Sequence, residues 1–144
     1  MRGVEVQMSA TQLATYIFIL HQSCCTHHGG LVKAGQHHPL SDKDVQRLGR
    51  TYHAICNLFR DTPITDERSY LEDVPTIRGY IARIRTAIAH HIDDQDIRFY
   101  TPQDTSDKSR YYIAIDPTKI TLRLSSGEIP FMDYPLWKTL ASKH

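Results

Sequence analysis

The hydrophobic positions in the first two thirds of the chain recur at the spacing of an α-helix. Apolar residues stand three or four positions apart in three segments, so each segment predicts an amphipathic helix with one buried stripe. The first helix is predicted to begin at Ser9, because Ser9 and Gln12 have the spacing of a capping box. Gly29-Gly30 is predicted to end this helix, since glycine is common just after a helix C-terminus.

Two further helices are predicted downstream. Ser41 is expected to cap the second helix, and Pro63 is expected to stop it. The third helix is predicted to begin near Thr76 and to end near His91 or Ile92, with isoleucines along its buried stripe.

The last third of the chain has a different pattern. Short β-branched and aromatic runs alternate there with turn-forming residues, which predicts a small hairpin or meander. The predicted strands are Ile97–Tyr100, Tyr111–Ile115 and Ile120–Leu124. A short final helix is predicted at Leu136–Ala141, with the single Trp137 as its anchor.

These elements together predict a mainly α fold: an up-and-down helical bundle with a small β-like C-terminal extension and a short final helix. A chain of 144 residues fits one domain, so we expect residues 1–144 to form a single unit with a helical core at 9–92 and the extension at 97–144. The apolar run at Leu13–Leu20 is shorter than the ~20 residues that span a bilayer. We therefore expect a soluble protein with no membrane partner. The three Cys, too few and odd in number for a disulfide framework, favour reduced thiols and a cytoplasmic protein.

The charge of the chain is nearly balanced overall but not locally. Seventeen Lys and Arg face sixteen Asp and Glu, for a net charge of +1, which argues against a protein that is basic all over. The segment from Thr76 to His91, however, contains three Arg, two His and no acidic residue. The simplest interpretation is that these arginines pair with the acidic residues that flank the helix. The alternative is a cationic surface that binds an anion.

Arg85 and His90 make a chemically useful pair on this helix. Histidine titrates near neutral pH and can accept or donate a proton, whereas arginine stays charged and can hold phosphate oxygens. Such a site needs no metal if the substrate brings its own nucleophile, as RNA does through its 2′-hydroxyl. Five positions turn a helix by roughly 140°, so a straight helix keeps the two side chains apart. We expect either a helix bend or a homodimer that completes the site across a two-fold axis.

The segment Arg85–His90 resembles the R-x4-6-H motif of the HEPN superfamily, and the two helices that precede it agree with that resemblance. The resemblance implies that Arg85 contacts the scissile phosphate and that His90 is the general acid or base. It also implies RNA-binding or supporting roles for four neighbours, namely Arg78, Arg83, Thr86 and His91. For His91 the competing interpretation is packing, because it continues the isoleucine stripe.

The same resemblance implies a small helical, dimeric protein with a metal-independent endoribonuclease activity. Many such proteins act as toxins or defence effectors. We therefore expect RNA as the substrate, a homodimer, a cognate antitoxin protein as a possible partner, and neither a metal nor a cofactor. Cleavage would proceed by attack of the 2′-hydroxyl and leave a cyclic phosphate.

A second hypothesis is a non-catalytic HEPN module that binds RNA or a partner protein. Two departures from the family pattern favour it. Thr86 stands where many active members carry a residue such as Asn, and Ile92 stands where some require Tyr.

A third hypothesis is a helical metal-binding protein. Cys24 and His28 have the i,i+4 spacing that puts two ligands on one helix face, and the pairs His27-His28 and His37-His38 add further candidates. No zinc-type spacing of four ligands occurs, so we expect no metal.

Overall fold

The computed structural model describes residues 6–26, 29–33, 40–59, 69–92, 95, 97–124 and 127–137. Its α-helices are α1 (Ala10–Cys24), α2 (Asp42–Leu58), α3 (Tyr70–Ala89) and the single turn α4 (Ile97–Tyr100). Its strands are β1 (Leu31–Val32), β2 (Gln103–Asp104), β3 (Arg110–Tyr112), β4 (Thr121–Leu124) and β5 (Gly127–Pro130). Short 3-10 helices lie at Pro117–Lys119 and Phe131–Asp133. The expected mainly helical fold with small antiparallel sheets is confirmed at this level.

Serine side chains begin the first two helices where the sequence predicts them. The Ser9 hydroxyl accepts a hydrogen bond from the backbone N–H of Gln12 at 3.2 Å. The Ser41 hydroxyl accepts one from Asp44 at the same distance. These bonds satisfy N–H groups that have no partner inside the helix. The end of α1 differs from the prediction, because the helix stops at Cys24 rather than at the glycine pair.

The third helix begins six residues earlier than predicted. Ser69 caps it, and the Glu72 carboxylate accepts from the Ser69 backbone N–H at 3.2 Å, which completes a capping box. Pro75 therefore lies inside α3 instead of before it. It removes the donor for the carbonyl of Leu71, but both residues are exposed, so that carbonyl lies near solvent.

Helix α1 is buried on all sides and not along one stripe. Every residue from Ala14 to Gln22 is buried, including three polar ones. The Thr15 hydroxyl lies 3.2 Å from the Tyr52 hydroxyl, and the Gln22 amide oxygen accepts from Arg47. The first contact joins the first half of α1 to the second half of α2, and the second contact joins the end of α1 to the first half of α2. The two helices are therefore antiparallel. The expected amphipathic α1 is wrong, because α2, α3 and the C-terminal segment cover it together.

Helices α2 and α3 run in the same general direction where they meet. Gly49 packs against the Cβ of Tyr70, and one turn further along both helices His53 meets Asp73. The alternation of directions that defines an up-and-down bundle is therefore present between α1 and α2 but not between α2 and α3. Three aromatic rings in mutual contact join all three helices. The centre of the Phe18 ring lies 5.0 Å from that of Tyr52 and 6.0 Å from that of Tyr70.

The predicted strand at Ile97–Tyr100 is instead the short helix α4. Its β-type composition is overridden by tertiary contacts, since β propensity depends strongly on context. The Thr101 hydroxyl donates to the carbonyl of Ile97 at 2.8 Å, which closes the helical turn. The buried Tyr16 donates from its hydroxyl to the carbonyl of Tyr100, also at 2.8 Å.

A three-stranded antiparallel sheet connects the C-terminal segment to the residues after α1. The strand order is β1-β3-β2, with Leu31 opposite Tyr111 and Asp104 also opposite Tyr111 on the other edge. The predicted strand Tyr111–Ile115 is therefore only partly found. Strand β4 lies within the predicted strand Ile120–Leu124, but it pairs with β5 in a segment where the sequence analysis predicts no strand, and Gly127 at the start of β5 adopts a φ of 128°.

Trp137 anchors the end of the described chain, as the sequence predicts. It is 7% exposed, its ring packs on Phe131 and on His21 of α1, and its indole N–H donates to the carbonyl of Phe131. Residues 138–144, and with them most of the predicted final helix, lie outside the described residues. None of the described helices is long and apolar enough to cross a membrane.

Replacing two glycines by alanine should change the free energy of unfolding in opposite directions. Gly30 has a φ of 139°, and a Cβ added there would collide with the carbonyl oxygen of Tyr111 across the β1–β3 pair. Gly30→Ala should therefore lower the free energy of unfolding by about 2 kcal/mol or more. Gly79 lies on α3 with no atom near its added Cβ, so Gly79→Ala should raise it by about 0.5–1 kcal/mol. Urea unfolding of both variants measures this, and equal effects would contradict the placement of β1 against β3.

Candidate functional site

The sides of α3 have different neighbours. Four isoleucines on one side are buried in the core: Ile77, Ile81, Ile84 and Ile88. At about 100° per residue, one flank of the helix carries Asp73, which faces α2, and the other carries Arg78 and Arg85. The side away from the core is exposed and carries Arg83, Thr86 and His90. We call this side, with Gly79 and Ala82, the outer face of α3.

Arg83 and His90 share the outer face. Seven residues turn a helix through almost two full turns, so the two side chains leave the axis within about 20° of each other and roughly 10 Å apart along it. His90 is the C-cap of α3 with φ −70° and ψ −15°, so the helical rotation holds up to it. The Arg83 guanidinium lies 5.6 Å from the centre of the Tyr80 ring, which places a cation against an aromatic face.

Arg85 lies elsewhere. Its Nε donates to the carbonyl oxygen of Pro102 at 3.0 Å, and the side chain is half-buried against the C-terminal segment. Arg85 and His90 are rotated by roughly 140° from each other on an unbent helix, so one subunit does not bring them together. Arg78, seven residues before Arg85, lies on the same flank and is exposed.

The remaining candidates at the end of α3 are accessible. The Thr86 hydroxyl donates to the carbonyl of Ala82 at 3.1 Å, so in this rotamer it presents only its oxygen lone pairs to a ligand. His91 is exposed, and its backbone N–H donates to the carbonyl of Ile88. The packing interpretation of His91 is wrong, because the helix ends at Ala89 and the isoleucine stripe ends with it.

The acidic residues before the arginines of α3 have other partners. Glu72 is used in the capping box, and Asp73 accepts from the His53 ring at 2.7 Å. Asp93, Asp94 and Asp96, which follow the helix, lie outside the described residues. Beyond its first turn α3 contains no acidic residue, so its outer face is a cationic surface with one titratable histidine.

The contact between His53 and Asp73 is absent from the sequence interpretation. Nε2 of His53 lies 2.7 Å from Oδ2 of Asp73, and the Asp73 side chain is only 6% exposed. The two residues are twenty positions apart on different helices, so no local pattern predicts the pair. The pair ties α3 to α2 on the side next to the outer face, and it therefore helps to set the rotation of α3.

The cysteines at the end of α1 form a thiol pair. The sulfurs of Cys24 and Cys25 lie 3.5 Å apart, and both are partly exposed. Their hydrogen bond lowers the pKa of Cys25 and, together with burial, raises the pKa of Cys24. Among the described residues no three His, Cys, Asp or Glu side chains are grouped to hold a metal. The pairs His27-His28 and His37-His38 are outside those residues.

One cavity lies apart from the outer face. Its volume is about 580 Å³, and it lies between the start of α1, the end of α2 and strand β4. In its wall the apolar Leu13, Ile17 and Leu122 stand beside the charged Lys119, Arg123 and Glu128, and the wall includes none of the arginines or histidines of α3.

Comparisons of the chain with protein-family models, with curated proteins and with solved structures found no match.

The thiol pair predicts selective alkylation. Cys25 should react first with iodoacetamide at pH 7, because its lowered pKa increases the fraction of the nucleophilic thiolate. Cys56 is 5% exposed and should react slowly. Peptide mass spectrometry over a time course measures the three rates, and Cys25→Ser should remove the fast phase. Equal rates for Cys25 and Cys56 would contradict this assignment.

The histidine–aspartate contact predicts a stability difference between two histidines. His53→Ala removes a donor from a buried carboxylate and should lower the free energy of unfolding by about 1–3 kcal/mol. His90→Ala removes an exposed side chain and should change it by less than about 0.5 kcal/mol. Urea denaturation followed by circular dichroism compares them, and an equal loss in both variants would be inconsistent with the pair between α2 and α3.

Proposed function

We propose that this chain is a HEPN-type, metal-independent endoribonuclease whose site lies on the outer face of α3 and is completed by a second subunit. The observation that carries the proposal is the exposure of Arg83 and His90 on one face of a helix that has no acidic residue beyond its first turn. Arg83 and His90 also have R-x6-H spacing, which lies within the R-x4-6-H range. Arg83 is therefore the arginine that can act with His90 from within one subunit.

The proposed reaction uses the substrate's own nucleophile. His90 accepts the proton of the 2′-hydroxyl, whose oxygen attacks the adjacent phosphorus and displaces the 5′-oxygen of the next nucleotide. Arg83 neutralises the charge that develops on the phosphate oxygens. The leaving 5′-oxygen takes a proton from a second acid, and the products are a cyclic phosphate and a 5′-hydroxyl. No other histidine is described on this face, and a two-fold dimer would supply His90 of the partner subunit as that acid.

The outer face suits such a dimer. Gly79 is exposed and has no side chain, so the backbone of a second α3 could approach closely at that position. Arg85 in this arrangement either reaches the phosphate from the partner subunit or binds RNA beside the site. We further propose that the protein acts in the cytoplasm as a toxin or defence effector, with a cognate antitoxin protein as a possible partner.

The second candidate is a HEPN module that binds RNA without cleaving it. One observation favours this alternative: the Thr86 hydroxyl donates to its own helix and not towards the outer face. The site would then lack, at position 86, a side chain that donates a hydrogen bond to the phosphate and orients it. In that case Arg83 and Arg78 would bind RNA phosphates, and His90 would have no chemical role.

Cleavage of RNA in the presence of a chelator tests the proposal. His90→Ala should reduce the cleavage rate by about 100-fold or more, because general acid–base catalysis contributes about 10²–10⁴. Arg83→Ala should cause a loss of similar order, and Arg50→Ala, on an exposed position of α2, should cause none. An oligonucleotide with 2′-deoxyribose at every position should not be cleaved.

The outcomes separate the candidates. Cleavage that is unchanged in His90→Ala overturns the proposal. RNA binding without any cleavage by the wild-type protein selects the binding module. If Arg85→Ala loses cleavage and Arg83→Ala does not, the proposed reaction stands, but Arg85 and not Arg83 contacts the phosphate. Mass spectrometry of the product ends detects the cyclic phosphate.

A further inference from the structure

A second basic surface lies on the flank of α3 that faces the three-stranded sheet. Four cationic residues make it, and we call them the sheet-side patch: Lys33, Arg78, Arg85 and Lys108. They come from three distant parts of the chain, namely the residues after α1, helix α3 and the turn before β3.

Backbone pairing brings these parts together. The N–H of Lys33 donates to the carbonyl of Ser109 at 2.9 Å, which extends the contact between β1 and β3. The Lys33 ammonium donates to the Asp104 carboxylate at 2.7 Å. Arg85 reaches the same strand edge from α3 through its bond to Pro102. The C-terminal segment therefore collects the charges of α3 and of the residues after α1 at one place.

The acidic residues here do not balance the cations. The hydrogen bond from Lys33 lowers the pKa of Asp104, and the charges of Arg85 and Lys108 lower it further, so one carboxylate serves three cations. The Asp107 carboxylate is occupied by the backbone and hydroxyl of Ser109 and by the hydroxyl of Thr105. Asp107 keeps its negative charge, because its hydrogen-bond donors are neutral. Among the described residues, the four cations of the patch therefore face the two carboxylates of Asp104 and Asp107, and the excess of positive charge attracts a polyanion.

An aromatic ring lies among these charges. The Lys33 ammonium is 4.6 Å from the centre of the Tyr111 ring, and Lys33, Arg78 and Tyr111 line one small depression of the surface. Positive charges that follow a backbone, combined with aromatic rings beside them, are typical of surfaces that bind single-stranded nucleic acid.

Between this patch and the outer face, the surface of α3 carries only small side chains. Ala82, Thr86 and Ala89 occupy the intervening side of α3, and all three are exposed. No large side chain of the helix stands between Arg85 and His90, so an extended strand can cross α3 there.

We infer that the sheet-side patch holds the phosphodiester backbone of a single-stranded RNA that crosses α3 over Ala82, Thr86 and Ala89 to reach His90. This inference rests on the proposed function for the crossing, but the binding of RNA by the patch stands on its own. It assigns to the C-terminal extension the task of building a substrate-binding surface beside the site.

The binding test uses a fluorescein-labelled single-stranded RNA with 2′-O-methyl groups, which cannot be cleaved through the 2′-oxygen. Fluorescence anisotropy gives its Kd for the full chain over a series of salt concentrations. The double variant Lys33→Gln/Lys108→Gln should raise the Kd by about tenfold at 0.1 M salt. It should also reduce the slope of log K against log salt by about 1.4, which is about 0.7 for each lost phosphate contact.

The matched control is Lys43→Gln/Arg50→Gln, which removes two exposed cations from α2 and changes the net charge equally. Its Kd should stay within about twofold of the wild type. Equal losses in both double variants would mean a general charge effect and would overturn the inference, as would an unchanged Kd in the patch variant. Arg78→Gln, a single change at an exposed position, provides a second patch variant if the double variant unfolds.

Cleavage kinetics separate this inference from the proposed function. On cleavable RNA the patch variant should raise KM with little change in kcat, whereas His90→Ala should lower kcat. If the wild type binds RNA through the patch and does not cleave it, the proposed function fails and the binding surface stands. If the wild type cleaves RNA and the patch variant has an unchanged KM, the patch is overturned and the proposed function stands.

Discussion

The burial of α1 on every side is the constraint on which the rest of the structure depends. A helix whose residues from Ala14 to Gln22 are all inaccessible must be covered by several elements and must pair each of its buried polar groups. Tyr52 of α2 faces Thr15, and Arg47 of α2 reaches Gln22. The C-terminal segment provides the remaining cover, and for this reason it belongs to the same hydrophobic core as the helices.

The position of α3 follows from this arrangement and decides which of its charges are available. Its isoleucines face the core, the contact between His53 and Asp73 secures the flank next to α2, and Arg85 is bound by the C-terminal segment. The outer face stays exposed, and it carries Arg83 and His90. One cationic helix therefore presents two separate surfaces, one of which has a group that can transfer protons.

The sequence shows that α3 is cationic and pairs Arg85 with His90, but within one subunit the fold places Arg85 against Pro102 and leaves Arg83 on the face that carries His90. The absence of acidic residues between Thr76 and His91 can be read directly, because composition needs no knowledge of the fold. The choice between Arg83 and Arg85 depends on the rotation of the helix against the core and on the contact of Arg85 with Pro102. The sheet-side patch was beyond prediction for the same reason, since Lys33 and Lys108 meet only through strand pairing.

What the sequence determined by itself is local: the serine caps of α1 and α2, strand β4 and the burial of Trp137. Each of these depends on residues a few positions apart or on one large apolar side chain. Tertiary structure alone decided that Ile97–Tyr100 is helical, that α1 is buried all round and that His53 meets Asp73. These features depend on contacts between residues far apart in the chain, whose energies exceed the weak local preferences of the segments involved.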